Sequence, residues 1–173
     1  YKFKNYKSKK IQNKLKIINL KSDNFNEIKK EFKIYESLIS GIFFTRDLVW
    51  KPANILFPKS FVDECKKLSK QGVKINIYNQ SQLKKIGMHA LLGVGQGSAH
   101  ESYVVCMEWN GGLKNKKPLA IIGKGVCFDS GGLSLKPAKS MEDMKWDMGG
   151  AGVTVGLMDA VSKAKLKKNV LGV

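Results

Sequence analysis

The sequence has almost no arginine, and this absence limits what its positive charge can mean. Lysine and arginine together number 31 and the formal net charge is +17, yet Arg46 is the single arginine. Dedicated nucleic-acid binders usually use arginine for bidentate contacts to phosphates and bases. Because the lysines are spread along the whole chain, the charge predicts weak, sequence-independent attraction to nucleic acid rather than a dedicated interface.

Cysteines are few and long apolar runs are missing. Cys65, Cys106 and Cys127 are odd in number and show no C-x-x-C spacing, which argues against a disulfide framework and against a structural zinc site. Such cysteines fit a reducing compartment, so we expect a cytoplasmic protein. No apolar run of about 18 residues occurs, and the basic N-terminal stretch lacks the apolar core of a secretory signal. Neither a membrane span nor a signal peptide is therefore predicted.

Three common catalytic or nucleotide-binding motifs are also absent. The sequence contains no Gly-Lys-Ser/Thr triplet of a P-loop and no H-E-x-x-H of a zinc peptidase. The glycines at positions 93, 95 and 97 do not match the dinucleotide-binding fingerprint. A catalytic site in this chain must therefore use another pattern.

Apolar periodicity predicts an α/β fold. With 173 residues and 43% hydrophobic content, the chain can form a core. Apolar residues recur at helical spacing over residues 25–49 and predict a long amphipathic helix, which Pro52 ends. Shorter helices are predicted at 60–71, 81–87 and 151–164, and strands at 15–20, 73–78, 103–109, 119–122 and from 169 onward. Strands that alternate with helices imply a mixed sheet flanked by helices.

Residues 119–150 combine a short apolar strand, several glycines and a small set of charged side chains. Lys124, Asp129, Lys136 and Asp147 lie among glycines that let a ligand approach the backbone closely. The residues by themselves leave three interpretations open. The stretch is a cradle for an anion, a site in which the two aspartates bind a hard or borderline metal ion, or a structural turn that leads into a helix.

The amino-acid sequence of this stretch resembles that of a known family. The run G-K-G-V-C-F-D-S-G-G-L-S-L-K-P, followed by M-K-W-D-M-G-G, is similar to the leucyl aminopeptidase family of dinuclear metallopeptidases. Two flanking segments agree with it, namely T-R-D-L-V with P-A-N at residues 45–54 and M-H-A-L-L-G-V-G-Q-G-S at residues 88–98. One departure is Trp50-Lys51, where the family usually has Asn-Glu before Pro-Ala-Asn.

The resemblance implies a role for each charged residue. Asp129 would bridge two metal ions, and Lys124 and Asp147 would bind the second of them. A lysine can bind a metal only as the neutral amine, and an adjacent dication lowers its pKa. Lys136 would stay charged, held off the metals by the Lys-Pro turn, and stabilise the charge that develops on the substrate carbonyl.

Neighbouring residues of the same stretch receive no such role. Lys139 and Lys145 are expected to be solvated, and Cys127 is expected to be a packing residue. At the level of the whole protein, the resemblance implies two divalent ions (Zn, Mn or Mg), peptide substrates with a free and preferably leucine-like N-terminal residue, and a homo-hexamer.

The resemblance also implies a domain division. Residues 1–24 would be the end of an N-terminal domain and a linker, and residues 25–173 the N-terminal half of the catalytic domain. The family's second ligand motif, Asp-Ala-Glu-Gly-Arg, does not occur in the sequence. We therefore expect both ends to be breaks in a longer polypeptide and the isolated chain to be inactive. The alternatives are a non-enzymatic DNA-binding protein and a degenerate remnant of the same family.

Overall fold

The computed structural model describes Tyr6 and residues 17–173. The predicted α/β class is confirmed, with helices packed against a four-stranded sheet. The helices are α1 (Phe25–Trp50), α2 (Pro58–Lys66), α3 (Gln80–Lys85), α4 (His89–Gly95), α5 (Ala138–Met141) and α6 (Gly149–Lys163), and the strands are β1 (Lys74–Tyr78), β2 (Val104–Asn110), β3 (Leu119–Ile121) and β4 (Asn169–Gly172). Two 3₁₀ helices cover Lys67–Gln71 and Glu142–Trp146.

The sheet is mixed, as the sequence predicts. Its strand order is β1-β2-β4-β3, with β2 antiparallel to both of its neighbours and β3 parallel to β4. The strand predicted at 103–109 therefore lies inside the sheet as β2. Because β3 and β4 are parallel, their C-terminal ends lie at one edge of the sheet, where the candidate site begins.

Helix α6 lies between α1 and the sheet. Its sequence is rich in small and apolar residues, and most of its side chains from Gly152 to Ser162 are buried. Gly41 of α1 packs directly on Gly156 of α6, and the Thr45 hydroxyl donates a hydrogen bond to the carbonyl of Gly152 at 3.1 Å. This close packing fixes the C-terminal end of α1 relative to the start of α6.

The contact between α1 and α6 depends on the absence of a side chain at Gly41. A methyl group there would collide with the carbonyl oxygen of Gly156. We expect Gly41→Ala to lower the free energy of unfolding by about 1–3 kcal/mol, as overpacking does, measured by denaturant titration. Gly93→Ala in α4 is the matched control, because no heavy atom lies within 4 Å of a Cβ at that position. Equal effects from both substitutions would contradict this account of the helix contact.

A buried carboxylate in the C-terminal half of α6 joins three elements. Asp159 is 2% exposed and accepts hydrogen bonds from Ser40 of α1 and Gln71, both at 2.8 Å, and from Lys163 at 2.9 Å. A buried charge is tolerated when it is paired and hydrogen-bonded, as here. The network supports the packing and lies outside the charged stretch singled out in the sequence.

Most element predictions are confirmed, and two are wrong in part. Helix α1 ends at Trp50, one residue beyond the prediction, and the helix predicted at 60–71 is α2 followed by a 3₁₀ turn that ends at Gly72 in the left-handed region (φ +88). Residues 17–20 of the predicted strand 15–20 are exposed and irregular, and no strand in the described part of the chain pairs with them. Residues 15–16 lie outside the described residues. None of the helices in the described part of the chain has the length and apolarity needed to cross a bilayer.

Candidate active site

The loop that follows β3 is held against the N-terminal end of α6. The amide of Gly123 donates to the carbonyl of Val173 at 2.9 Å, and the amide of Ala151 donates to the carbonyl of Lys124 at 2.8 Å. A side chain at position 123 would collide with the backbone of Gly150 and Ala151. Only glycine therefore permits this approach, and the approach places Lys124 beside the segment that carries Asp147.

Lys124 and Asp147 form the first ion pair of the site. The Nζ of Lys124 lies 2.8 Å from Oδ1 of Asp147, whose side chain is 18% exposed. The hydrogen bond to Asp147, together with the negative charges of Asp147 and Asp129, raises the pKa of Lys124. The second oxygen of Asp147, Oδ2, is buried and has no hydrogen-bond partner among the described residues.

Asp129 and Lys136 form the second ion pair. Gly131 adopts φ +88, and its amide donates to Oδ1 of Asp129 at 2.9 Å, while Nζ of Lys136 lies 3.0 Å from Oδ2. Both contacts lower the pKa of Asp129, the backbone hydrogen bond contributing most. The loop closes on itself through a hydrogen bond from the Lys136 amide to the carbonyl of Ser130 at 2.9 Å.

The structure brings all four predicted residues into one charged cluster. The charge of Asp129 contributes to the raised pKa of Lys124, and the charge of Lys124 contributes to the lowered pKa of Asp129, so the two ion pairs interact electrostatically. Each carboxylate faces one lysine, which balances the charge. The two pairs are contributed by the loop after β3 and by the 3₁₀ segment that precedes α6.

The donor set is suited to a divalent cation and is incomplete. A buried carboxylate oxygen without a partner, such as Oδ2 of Asp147, is costly unless a cation or donor reaches it. Aspartate oxygens are ligands for hard and borderline divalent ions, and a neutral lysine amine adds a nitrogen donor. However, no three His, Cys, Asp or Glu side chains converge on one point within Tyr6 and residues 17–173. These residues therefore fit one part of a metal site.

Sequence reasoning missed the apolar surroundings of the site. A cavity of about 570 Å³ lies beside Lys124 and Cys127, with Phe61, Met107 and Val155 among its lining residues. Its walls come from segments far apart in the chain, so no local pattern indicates it. Met144 was also missed, although its Sδ lies 3.2 Å from Nζ of Lys136.

The prediction for Lys145 is wrong. Lys139 is exposed, as predicted, but Lys145 is only half-exposed. Its Nζ lies 5.0 Å from the ring centroid of Trp50 and 5.5 Å from that of Trp146. A lysine ammonium over an aromatic face is held by the ring quadrupole. The aromatic partner at the end of α1 is 95 positions away in sequence, so spacing within the stretch could not indicate it.

Cys127 is a buried packing residue, as predicted. Burial raises the pKa of Cys65 to about 12 and the pKa of Cys127 to about 11. Both thiols therefore stay protonated at pH 8, and the thiolate is the form that reacts. We expect iodoacetamide at pH 8 to modify Cys65 and Cys127 only in denaturant, whereas the half-buried Cys106 reacts first in the native protein, as read by peptide mass spectrometry.

The raised pKa values of these two thiols also determine how the stability of the fold changes with pH. A thiol whose folded pKa exceeds its unfolded pKa stabilises the fold below the unfolded value, and this contribution is lost as the pH rises towards the folded value. Stability should therefore decline above about pH 8.5, the ordinary thiol pKa. Rapid modification of Cys127 in the native protein at pH 8 would contradict its burial.

Comparisons with known proteins agree on one family. The family model described as "Cytosol aminopeptidase family, catalytic domain" matches residues 43–173. A probable cytosol aminopeptidase of Phytoplasma australiense is 47% identical over 174 residues, which cover 100% of this chain and 35% of that protein. Thus the chain spans about a third of the length of the curated relatives that it matches.

Two solved structures have the same fold over most of the chain. The bottromycin maturation enzyme BotP in complex with Mn is 29% identical with a TM-score of 0.79, and the match covers 99% of this chain and 35% of that one. The cytosol aminopeptidase from Coxiella burnetii is 28% identical with a TM-score of 0.76, covering 83% of this chain and 31% of that one.

Proposed function

Because the chain belongs to the cytosol aminopeptidase family, we propose that it forms part of a metal-dependent aminopeptidase that hydrolyses peptides from a free N-terminus. The observation that carries this proposal is the buried, unpartnered Oδ2 of Asp147 beside Lys124 and next to the Asp129–Lys136 pair. This carboxylate oxygen has no hydrogen-bond partner among the described residues, so it is free to bind a metal cation.

Asp129, Asp147 and Lys124 are the residues that would hold metal ions. The manganese named for BotP supports a divalent cation in this fold, and zinc, manganese and magnesium all fit the donor types. Two such ions would supply Lewis-acid polarisation and activation of water. The remaining ligands must come from outside the three residues, since the described part of the chain holds no group of three His, Cys, Asp or Glu side chains.

Lys124 has to change its protonation state to act as a ligand. Its raised pKa means that it carries a proton while it is paired with Asp147. A lysine ammonium has no lone pair to donate, so the proton on Nζ must leave and the ion pair must open. The exposed position of Lys124, whose side chain is 61% accessible, gives that proton a direct route to solvent.

Lys136 is the proposed catalytic residue. Its loop is closed by the hydrogen bond to Ser130 and is followed by Pro137, so the position of its backbone is well defined. A fixed ammonium close to the reacting carbonyl stabilises the negative charge that develops on oxygen in the transition state. Its pairing with Asp129 at 3.0 Å holds the ammonium next to the proposed metal position before substrate binds.

The apolar surroundings support a preference for a leucine-like N-terminal residue. Met144 lies beside Lys136, and the apolar cavity lies beside Lys124. A branched aliphatic side chain that leaves water for such a surface gains roughly 1.5–3 kcal/mol. A charged first residue would gain nothing comparable there.

Three further features of the whole protein belong to this proposal. We propose a homo-hexamer, as the family resemblance implies, and a cytoplasmic location, in line with the word cytosol in the names of the relatives. We also propose that residues 25–173 form the first half of the catalytic domain and that residues 1–24 precede it. Helix α6 lies within the residues 43–173 that the family model matches. The packing of α1 on α6 therefore supports grouping α1 with that domain.

The requirement for a free N-terminus gives a direct test. We expect the protein at its natural length to hydrolyse leucine amide in the presence of a divalent ion, and not N-acetyl-leucine amide, whose blocked amine cannot bind a metal ion. We expect the isolated 173-residue chain to hydrolyse neither, because Tyr6 and residues 17–173 hold no group of three His, Cys, Asp or Glu side chains that could complete the ligand set. Equal hydrolysis of the free and the acetylated substrate by the natural-length protein would rule out an aminopeptidase.

A further inference from the structure

Trp50 departs from the family pattern, and the structure connects it to the candidate site. Trp50 is the last residue of α1, and its ring lies edge-on to that of Trp146, with centroids 6.2 Å apart and an interplanar angle of 79°. The Nζ of Lys145 lies over both rings, at 5.0 Å and 5.5 Å from their centroids. We refer to these three side chains as the Trp50–Lys145–Trp146 clamp.

The segment that the clamp holds has little internal support. Residues 138–146 form a four-residue helix and a five-residue 3₁₀ helix, and none of their side chains is fully buried. Such short helices are marginal without tertiary contacts. The amide of Asp147 donates to the carbonyl of Met144 at 3.3 Å, which is long for a hydrogen bond. The position of this segment therefore depends on contacts with neighbouring elements.

Helix α1 is a firm support for that contact. Its C-terminal half is fixed on α6 by the packing of Gly41 on Gly156 and by the hydrogen bond from Thr45 to Gly152. Trp50 lies one helical turn and a half beyond Thr45, so its ring is attached to a rigid element. A contact between a rigid helix and a short 3₁₀ segment restricts the segment.

We propose that Trp50 is a positioning residue for Asp147. Through Lys145 and Trp146 it holds the segment 142–147 so that the Asp147 carboxylate lies beside Lys124, and it keeps the Lys145 ammonium away from that carboxylate. Lys145 is two residues from Asp147, and a released ammonium would compete with a cation for Oδ2. This inference rests on the proposed role of Asp147 as a metal ligand.

The first test measures the segment without any metal. In the metal-free protein at its natural length, we expect Trp50→Asn to speed amide hydrogen exchange over residues 142–148 by about tenfold, the size expected for losing an aromatic pair and an exposed cation–π contact. Trp50→Phe keeps a ring face and should restore most of the protection. Tyr35→Asn removes a similarly exposed aromatic of α1, 57% accessible, and should change nothing there. Unchanged exchange in Trp50→Asn would overturn the clamp.

The second test measures binding of Mn²⁺ by equilibrium dialysis. We expect Trp50→Asn to weaken binding about tenfold, in step with the exchange result, and Trp50→Phe to bind close to the unsubstituted protein. Because a freed Lys145 competes for Asp147, the double variant Trp50→Asn/Lys145→Gln should bind Mn²⁺ more tightly than Trp50→Asn alone.

The outcomes separate this inference from the proposed function. Fast exchange with unchanged Mn²⁺ binding would mean that Trp50 holds the segment without positioning Asp147, which overturns the inference. A double variant that binds Mn²⁺ no better than Trp50→Asn would overturn the role of Lys145. An unsubstituted protein that binds no Mn²⁺ would refute the proposed metal site instead, and the exchange data would still decide the clamp.

Discussion

Replacing Asp147 with asparagine is expected to abolish metal binding at the site and to lower aminopeptidase turnover by more than about a hundredfold. Even the loss of a residue that hydrogen-bonds to a metal ligand typically lowers metal affinity or activity about 10–100-fold. Here the ligand itself would be lost. The amide keeps the size of the side chain and removes the charge of the buried Oδ2. The same change at Asp129 should have a comparable effect, because that carboxylate is the proposed bridge. Turnover of leucine amide and metal content per chain are the two measurements.

The matched control is Asp143→Asn in the same segment. Asp143 is exposed and belongs to the 3₁₀ turn that leads to Asp147. The Asp143→Asn variant should keep normal turnover and metal content, since the substitution removes one negative charge without changing a residue of the site. Full activity in Asp129→Asn would exclude that residue as the bridging ligand, and full activity in Asp147→Asn would exclude its buried oxygen as a metal contact.

Lys136→Met is expected to lower kcat by about 100- to 1,000-fold, the range found when one stabilising donor of a developing oxyanion is removed. Metal content should stay near normal, because Lys136 is not a proposed ligand. KM should change little, since an interaction made only in the transition state affects kcat and kcat/KM together. Steady-state kinetics on leucine amide, with metal analysis of the same samples, gives all three values.

Lys139→Met serves as the control for Lys136. Lys136 precedes Pro137 and Lys139 follows it by two residues, but Lys139 is exposed, whereas Lys136 is paired with Asp129. A loss of metal together with activity in Lys136→Met would show that the pair with Asp129 supports the ligand, and the proposed catalytic role would then fail. Lys136→Arg keeps the charge with a different geometry, so partial activity is expected.

The sequence predicts the fold well where its signals are local. Helix α1 has a sustained apolar periodicity, and β2 is a mostly apolar segment with two valines and a tryptophan, so both are found within one or two residues of prediction. The run at 15–20 is rich in leucine and isoleucine, but its described part is irregular and pairs with no strand among the described residues. Helix α4 contains two glycines, which lower helix propensity and concealed it. Tertiary contacts decide such cases.

Prediction of the candidate site from the sequence is limited in the same way, by tertiary contacts. The resemblance singles out Lys124, Asp129, Lys136 and Asp147, and the structure places them in one cluster. Which lysine pairs with which carboxylate depends on the closure of the loop at Gly131 and on its approach to α6, neither of which spacing reveals. The contact of Lys145 with Trp50 joins the ends of different elements, and only the packing of α1 on α6 creates it.

The measurement that tests the central claim most directly is the metal dependence of leucine amide hydrolysis by the protein at its natural length. The protein would be stripped of metal with a chelator, assayed, and assayed again after Mn²⁺ or Zn²⁺ is restored. The account predicts that hydrolysis disappears on stripping and returns with either or both ions, but does not return in Asp147→Asn. Hydrolysis that continues at full rate in the verified metal-free protein would contradict it.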